Sequence, residues 1–174
     1  VRGLFKDIHG SIEFDMDNGM ATTFRGMIDA TKLWTGEPTR DAHLRSADFF
    51  DVEHHPKIDF VGRATERVGD THATASVDLT IRGVTHTVPL EVAYLGQWET
   101  PFWVGDENRG TLRRIGFEAT TTINRHDFGV SWQDTLPGGG VVVSNNVRVT
   151  LDVEAILVED LERTGAIEHY RDDA

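Results

Sequence analysis

Ala75-Ser76-Val77-Asp78-Leu79-Thr80-Ile81 alternates apolar and polar side chains at every step. A period of two places its four apolar residues on one side of an extended chain and its three polar residues on the other. Across Arg82-Gly83 the pattern resumes, with Val84, His86, Val88, Leu90, Val92 and Tyr94 on one face and Thr85, Thr87 and Glu91 on the other. Further on, Val147, Val149, Leu151, Val153, Ala155 and Leu157 alternate with Arg148, Thr150, Asp152 and Glu154. That run is long enough for a strand of roughly 35 Å at ~3.3 Å per residue.

Weaker alternation holds in Ile12, Phe14, Met16; in Phe24, Gly26, Ile28; in Ile58, Phe60, Gly62, Ala64; and in Ile115, Phe117, Ala119, Thr121, Ile123. Strands with one wet face belong to antiparallel sheet, because parallel strands are covered on both sides and read as continuous apolar runs. Turn residues separate them: Asp17-Asn18-Gly19, Val68-Gly69-Asp70, Arg82-Gly83 and Pro137-Gly138-Gly139-Gly140. Seven or more such strands must hide their edges and their apolar face, and closure into a barrel does both. The pattern therefore predicts an all-β fold, an antiparallel meander closed into a barrel, whose interior at eight strands either fills with side chains or holds one elongated ligand.

One stretch departs from the pattern. Residues 39–47, opening at Thr39 as N-cap with Asp41 in the first turn, predict a two-turn helix. Pro56 stops any continuation before the next strand. Residues 1–158 form the barrel domain in this reading. Residues 159–174 form an acidic tail, a short helix or a frayed end, with Glu159 and Arg163 at i,i+4 spacing and Leu161 and Ile167 as apolar anchors.

Strand parity selects one inward set: Phe24, Ile28, Ile58, Phe60, Ala64, Val77, Leu79, His86, Leu90, Val92, Phe117, Ala119, Val149, Leu151 and Val153. Small residues among them and beside them, Gly26, Gly62, Ala64, Ala75 and Ala119, suit a hollow lumen. Phe14, Phe24, Phe60 and Phe117 could equally fill it, and parity alone does not separate the two.

The 174 residues carry 17 Lys and Arg against 29 Asp and Glu, a formal charge of −12. Such a chain repels phosphate backbones, so nucleic acid is not an expected partner. Zero cysteines exclude disulfides, thiolate metal sites and cysteine nucleophiles, while leaving the compartment open. The longest aliphatic runs, Val141 to Val143 and Ala155 to Val158, are far below the ~20 residues of a spanning helix. With no initiator Met at Val1, a processed or incomplete form of a longer product is expected.

Arg40-Asp41-Ala42-His43-Leu44-Arg45-Ser46-Ala47-Asp48-Phe49-Phe50-Asp51, followed by His55-Pro56 and Ile58-Asp59-Phe60, resembles the signature region of the YceI-like family of lipocalin-like, isoprenoid-binding proteins. Leu79-Thr80-Ile81-Arg82-Gly83-Val84-Thr85 is similar to its hairpin. Ile123-Asn124-Arg125-His126-Asp127-Phe128-Gly129-Val130 is similar to its late turn, and Val143-Ser144-Asn145-Asn146-Val147 to its final turn and strand. Val1-Arg2-Gly3-Leu4-Phe5 resembles the end of a first strand that normally starts earlier. The resemblance implies an extended eight-stranded antiparallel lipocalin-like barrel with an apolar lumen, a long cavity that holds a polyisoprenoid or similar amphiphile, often in a homodimer. It implies a bacterial source and, for many members, export to the periplasm. The tail after Val158 runs past the family's usual end.

Other constellations have bland readings beside their sharp ones. A catalytic reading of Arg40, Asp41, His43, Asp48 and Asp51 makes His43 a base oriented by an aspartate, but a helix at a barrel mouth needs the same capping and pairing. Phe49 and Phe50 would anchor that helix to the rim. His54 and His55 beside Asp51 and Glu53 hint at a metal, yet neighbours on an extended strand point apart, so no metal is expected. His86 stands out on an apolar face, where a hydrogen-bonded core histidine is expected. Trp98, Pro101, Phe102 and Trp103 suggest an irregular aromatic loop that, with Trp34, lines a portal or a dimer contact. No nucleophile elbow, phosphate loop or dinucleotide fingerprint occurs, so neither a cofactor nor catalysis is expected. The leading expectation is non-catalytic binding, storage or transport of an isoprenoid lipid in the lumen. The alternatives are an enzyme acting on an apolar substrate there through His86 or the Arg40 to Asp51 cluster, and a filled-core module binding a protein through the Trp98 to Trp103 loop.

Overall fold

In chain order the strands are β1 (Leu4–Phe5), β2 (Ile8–Glu13), β3 (Thr23–Asp29), β4 (Leu33–Trp34), β5 (Lys57–Val68), β6 (His72–Ile81), β7 (Val84–Val104), β8 (Glu107–Asn124) and β9 (Asn146–Ile156). The helices are α1 (Pro38–Arg45), α2 (Val158–Thr164) and α3 (Ala166–Arg171). The computed structural model describes residues 2–15, 17–134, 136–138 and 140–171. Val1, Met16, Gly139 and the side chain of His169, which figured in the sequence reading, lie outside the described residues.

Arg82 and Gly83 turn β6 into β7 with φ of 52° and 75°. Two successive positive φ angles give the turn whose twist matches that of the flanking strands. A non-glycine residue at positive φ costs roughly 1–2 kcal/mol. The Arg82 guanidinium opposes that cost by donating to the carbonyls of Phe49 at 2.8 Å and Gly129 at 3.3 Å. From this turn the register runs Ile81↔Val84 to His72↔Ala93, and the alternation is real: Ala75, Val77, Ile81 and Leu90 are buried while Asp78, Thr87 and Glu91 are exposed.

The main sheet has the order β2-β3-β5-β6-β7-β8-β9, every neighbour antiparallel, with a β1–β4 ribbon beside it. Among the described residues that is seven strands in one ladder, one fewer than expected. The sheet is strongly curled. Phe14, just past β2, stacks on Tyr94 of β7 at 6.2 Å and meets Phe117 of β8 edge-on at 5.7 Å. A flat sheet would hold β2 and β8 roughly 24 Å apart, at ~4.8 Å per strand.

Phe24 lies opposite Gly62, and Gly26 opposite Phe60. A Cβ on Gly62 would overlap the Phe24 ring, and one on Gly26 would overlap both the Phe60 ring and the His9 carbonyl. Both rings therefore lie flat along the sheet on a glycine floor, a cross-strand device that protects glycine in a strand. Gly62→Ala is expected to lift the Phe24 ring and lower stability by about 1–3 kcal/mol, as overpacking does, measurable as a lower urea midpoint at unchanged slope.

Three elements differ from the sequence reading. Trp98 to Trp103 is not a loop but the far half of β7, in a hairpin with β8 that runs to Val104↔Glu107. A bulge between Tyr94 and Gly96, the latter at φ 121°, inserts Leu95 and shifts the period of two, which hid the strand. Helix α1 starts a residue early, at Pro38, and is capped by Glu37, whose carboxylate accepts from the amides of Thr39 and Arg40. Proline suits the first helical position because its missing N–H would be unpaired there. Up to Arg171 the tail is two short helices, residues 172–174 lying outside the described residues, and Arg163 pairs with Asp160 at 2.9 Å. Glu159 instead lies 3.7 Å from Arg113.

Candidate functional site: the inner face of the curled sheet

The ladder registers put the whole parity set on one face: Phe24, Ile28, Ile58, Phe60, Ala64, Val77, Leu79, His86, Leu90, Val92, Phe117, Ala119, Val149, Leu151 and Val153. They divide along the strand axis. At the middle, Ala75, Val77, Leu90 and Ala119 form a buried cluster with Phe24, Phe60, Val92 and Leu151 packed against it. At one end, Ala30, Ile58, Ile81, Ile123 and Phe128 form another, joined by Ile28, Leu79 and Val149. Phe117 belongs to neither; with Phe14 and Tyr94 it makes an aromatic triad toward the opposite end. Ala75 and Ile81 were within reach of parity. Phe128, only 1% exposed, sits in a 3-10 turn with no period to reveal it.

Burial on this face is shallow. Phe24, Phe60, Leu79, Val92, Phe117, Val149, Leu151 and Val153 are half-buried, and among the described residues Phe128 and Leu112 are the large side chains that are fully buried. Leu112 belongs to the outer side, near the C-terminal helices. The small residues Ala75 and Ala119, at 4% and 6% exposure, form the floor at the centre.

Polar atoms on the face are few. His86 is exposed and meets the Phe128 ring edge-on at 5.3 Å. Its side chain has no hydrogen bond among the described residues, against the expectation of a bonded core histidine, because its exposed ring needs no protein partner. Thr121 Oγ1, inward on β8, is buried without a partner. Arg125 continues the inward parity beyond β8. Its guanidinium, in a residue 5% exposed, donates to the carbonyls of Ser144 at 3.0 Å and of Val130 and Trp132 at 2.8 Å.

The polar cluster of Arg40 to Asp51 serves as scaffold. Asp41, 5% exposed, accepts from the amide and hydroxyl of Thr35 at 2.8 and 2.5 Å, and Arg40 donates to that same hydroxyl at 2.9 Å. Arg45 donates to the carbonyls of Thr31 and Leu33. These bonds fix α1 against β4. His43 pairs with Asp48 at 2.9 Å while its ring meets Phe49 and Trp132 edge-on. Phe49 is buried and Phe50 packs edge-on to Phe5 at 5.4 Å, which holds the segment over the end of the sheet.

His54 and His55 lie in a turn, not on the extended strand that the sequence suggested. His54 pairs with Asp51 at 2.9 Å, and that bond raises the His54 pKa and lowers that of Asp51. Among the described residues, no three His, Asp or Glu side chains gather as a metal site. No helix among them is long and apolar enough to cross a membrane.

Residues 1–155 match the family model of the YceI-like domain. A UPF0312 protein of Pseudomonas putida (strain W619) is 35% identical over 156 residues, covering 90% of this chain and 73% of that protein. A UPF0312 protein of Ectopseudomonas mendocina is 32% identical over 154 residues, covering 88% and 73%. Among solved structures, the Campylobacter jejuni YCEI protein superposes with a TM-score of 0.73 at 26% identity, covering 90% of this chain and 85% of that one. Burkholderia cenocepacia BcnA shares the fold, with a TM-score of 0.67 at 21% identity over 88% and 86%. With matching residues along nearly its whole length and the same curled antiparallel sheet, the chain belongs to the YceI-like family.

Proposed function

We propose that the protein binds an isoprenoid or similar long-chain amphiphile along the inner face of its sheet, as a non-catalytic carrier or store. The observation that carries this reading is the flat stacking of Phe24 and Phe60 on Gly62 and Gly26. Rings that stood upright would occupy the axis of the barrel; rings laid on glycines leave it to a ligand. Half-burial of eight large apolar side chains on the same face supports it, because a filled core would bury them fully.

The energetics suit an apolar tail. A five-carbon unit buried at ~0.8 kcal/mol per carbon gains ~4 kcal/mol before ordering costs. Two or three units then outweigh the loss of chain freedom, and selectivity follows from the length of the face and its small residues rather than from polar contacts.

Organic extraction of natively purified protein, followed by mass spectrometry against a mock purification, tests the reading. A stoichiometric prenyl lipid is the expected result; an empty protein that also refuses added polyprenols overturns it. Ala119→Trp places an indole on the central floor and is expected to abolish uptake while costing about 1–3 kcal/mol of stability. Full uptake by this variant would place the tail elsewhere.

A further inference from the structure

We propose that the outer face of β3 and β5 carries an anion site, built by Arg25 and Arg63, that takes a phosphate group. It lies on the opposite side of the sheet from the apolar face and does not depend on what that face binds. Residues of β2, β3, β5, β6 and β7 frame an open groove of about 670 Å³ there, which Phe24 and Gly62 also border.

Two adjacent rows of the ladder line that groove. One runs Ser11–Arg25–Val61–Asp78–Thr87, and the next has Glu13, Thr23, Arg63 and Ser76. Arg25 and Arg63 are therefore diagonal neighbours, about 7–8 Å apart at their Cα atoms and within reach of one another's side-chain heads. Neither guanidinium has a hydrogen bond or ion pair among the described residues, and both residues are exposed. In a chain with 29 acidic residues, two neighbouring guanidinium groups left unpaired are the unusual feature.

The two carboxylates in the groove keep their charge, but neither makes an ion pair with Arg25 or Arg63 among the described residues; each is held by a threonine. Asp78 accepts the hydroxyl of Thr87 at 2.5 Å, and Glu13 that of Thr23 at 3.3 Å. Like charges side by side on a sheet destabilise it, and an oxyanion between them converts that repulsion into two charge-assisted contacts. Ser11 sits beside Arg25 and Ser76 beside Arg63 in register, so each guanidinium has a hydroxyl donor at its flank. Val61, 60% exposed and opposite Arg25 in register, is an apolar residue beside the two arginines. Two cationic forks and two hydroxyls match the three acceptor oxygens and near-double charge of a phosphate better than a single carboxylate.

Backbone amide chemical shifts of Val61, Arg63 and Ser76 followed during titration with inorganic phosphate at low ionic strength test the site. Saturating shifts are expected, weakened about tenfold or more in the Arg25→Gln/Arg63→Gln double variant and at high salt. Both arginines are exposed, so circular dichroism and polyprenol uptake should be unchanged by the substitutions, which separates this site from the apolar face. A second arm uses phosphatidylcholine vesicles with and without phosphatidic acid. Arginine-dependent binding to the acidic vesicles alone, without response to free phosphate, identifies a lipid headgroup as the source of the phosphate and supports the site. No saturable response in either arm, or one that the double variant leaves intact, overturns it.

Discussion

Arg125→Met should destabilise the protein by about 3 kcal/mol or more, lowering the urea midpoint without changing the slope. The guanidinium is almost fully buried and serves three carbonyls from two segments, those of Val130 and Trp132 in one and of Ser144 in the other. Its own amide donates to the Asn145 carbonyl at 2.9 Å. The side chain is thus the node that joins the turn after β8 to the segment leading into β9. Hydrogen bonds from a charged donor contribute about 1.5–3 kcal/mol each, and the methionine removes all three, leaving the buried Val130 carbonyl without this donor and the part-buried ones at Trp132 and Ser144 to water. Part of this loss is offset because a buried charge with an unpartnered Nη2 is itself costly to keep. Arg125→Lys should recover less than half of the loss, since one ammonium on a shorter stem cannot reach acceptors spread around a planar fork. A change below about 1 kcal/mol in Arg125→Met would show that water replaces the side chain at no cost.

The strands of this fold were legible where parity was unbroken. Ala75 to Ile81, Val84 to Tyr94 and Val147 to Ala155 each turn their alternate residues to one face, while Leu157 lies past the end of β9, and a period of two needs no knowledge of the partner strand. Legibility stopped at local irregularities. The bulge at Leu95 shifted the phase, so the aromatic half of β7 read as a loop. Glu37 was passed over as a cap because glutamate is an uncommon one; Thr39 has the right chemistry two residues too late. For the candidate face the composition was readable and the packing was not. The sequence shows Phe24, Gly26, Phe60 and Gly62 as two alternating pairs, but that each ring lies on the other strand's glycine depends on the β3–β5 register. The same holds for Arg125 and for Arg25 with Arg63, whose surroundings are set by residues distant in sequence.

The C-terminal helices should be held by a single carboxylate, and losing it should release them while the sheet stays folded. Asp160 is 3% exposed and faces two arginines. Arg113 gives it a backbone amide and Nε, both at 2.9 Å, and Nη2 at 3.1 Å, while Arg163 adds Nη2 at 2.9 Å. The Thr164 hydroxyl donates to the Asp160 carbonyl at 2.7 Å, and Ala166, fully buried, closes the turn between the helices. The contact with the Arg113 amide ties off the part of β8 that runs past the end of β9. These donors hold the Asp160 carboxyl well below the usual carboxylate range, the Arg113 side chain foremost, and Asp160 in turn raises the Arg113 pKa. A group whose pKa is lower folded than unfolded stabilises fully above its unfolded value, near 4, and progressively less as pH falls beneath it. Hydrogen exchange over residues 158–171 should therefore be slow and flat from pH 8 to about 5, after correction for intrinsic rates, and protection should fall below pH 4. In Asp160→Asn the amide keeps the shape but loses the charge, so protection of that segment should already be lost at pH 7, with β6 and β7 unaffected. Equal protection in the variant and the parent at pH 7 would mean that the buried Ala166 and Leu112 hold the helices without the ion pairs.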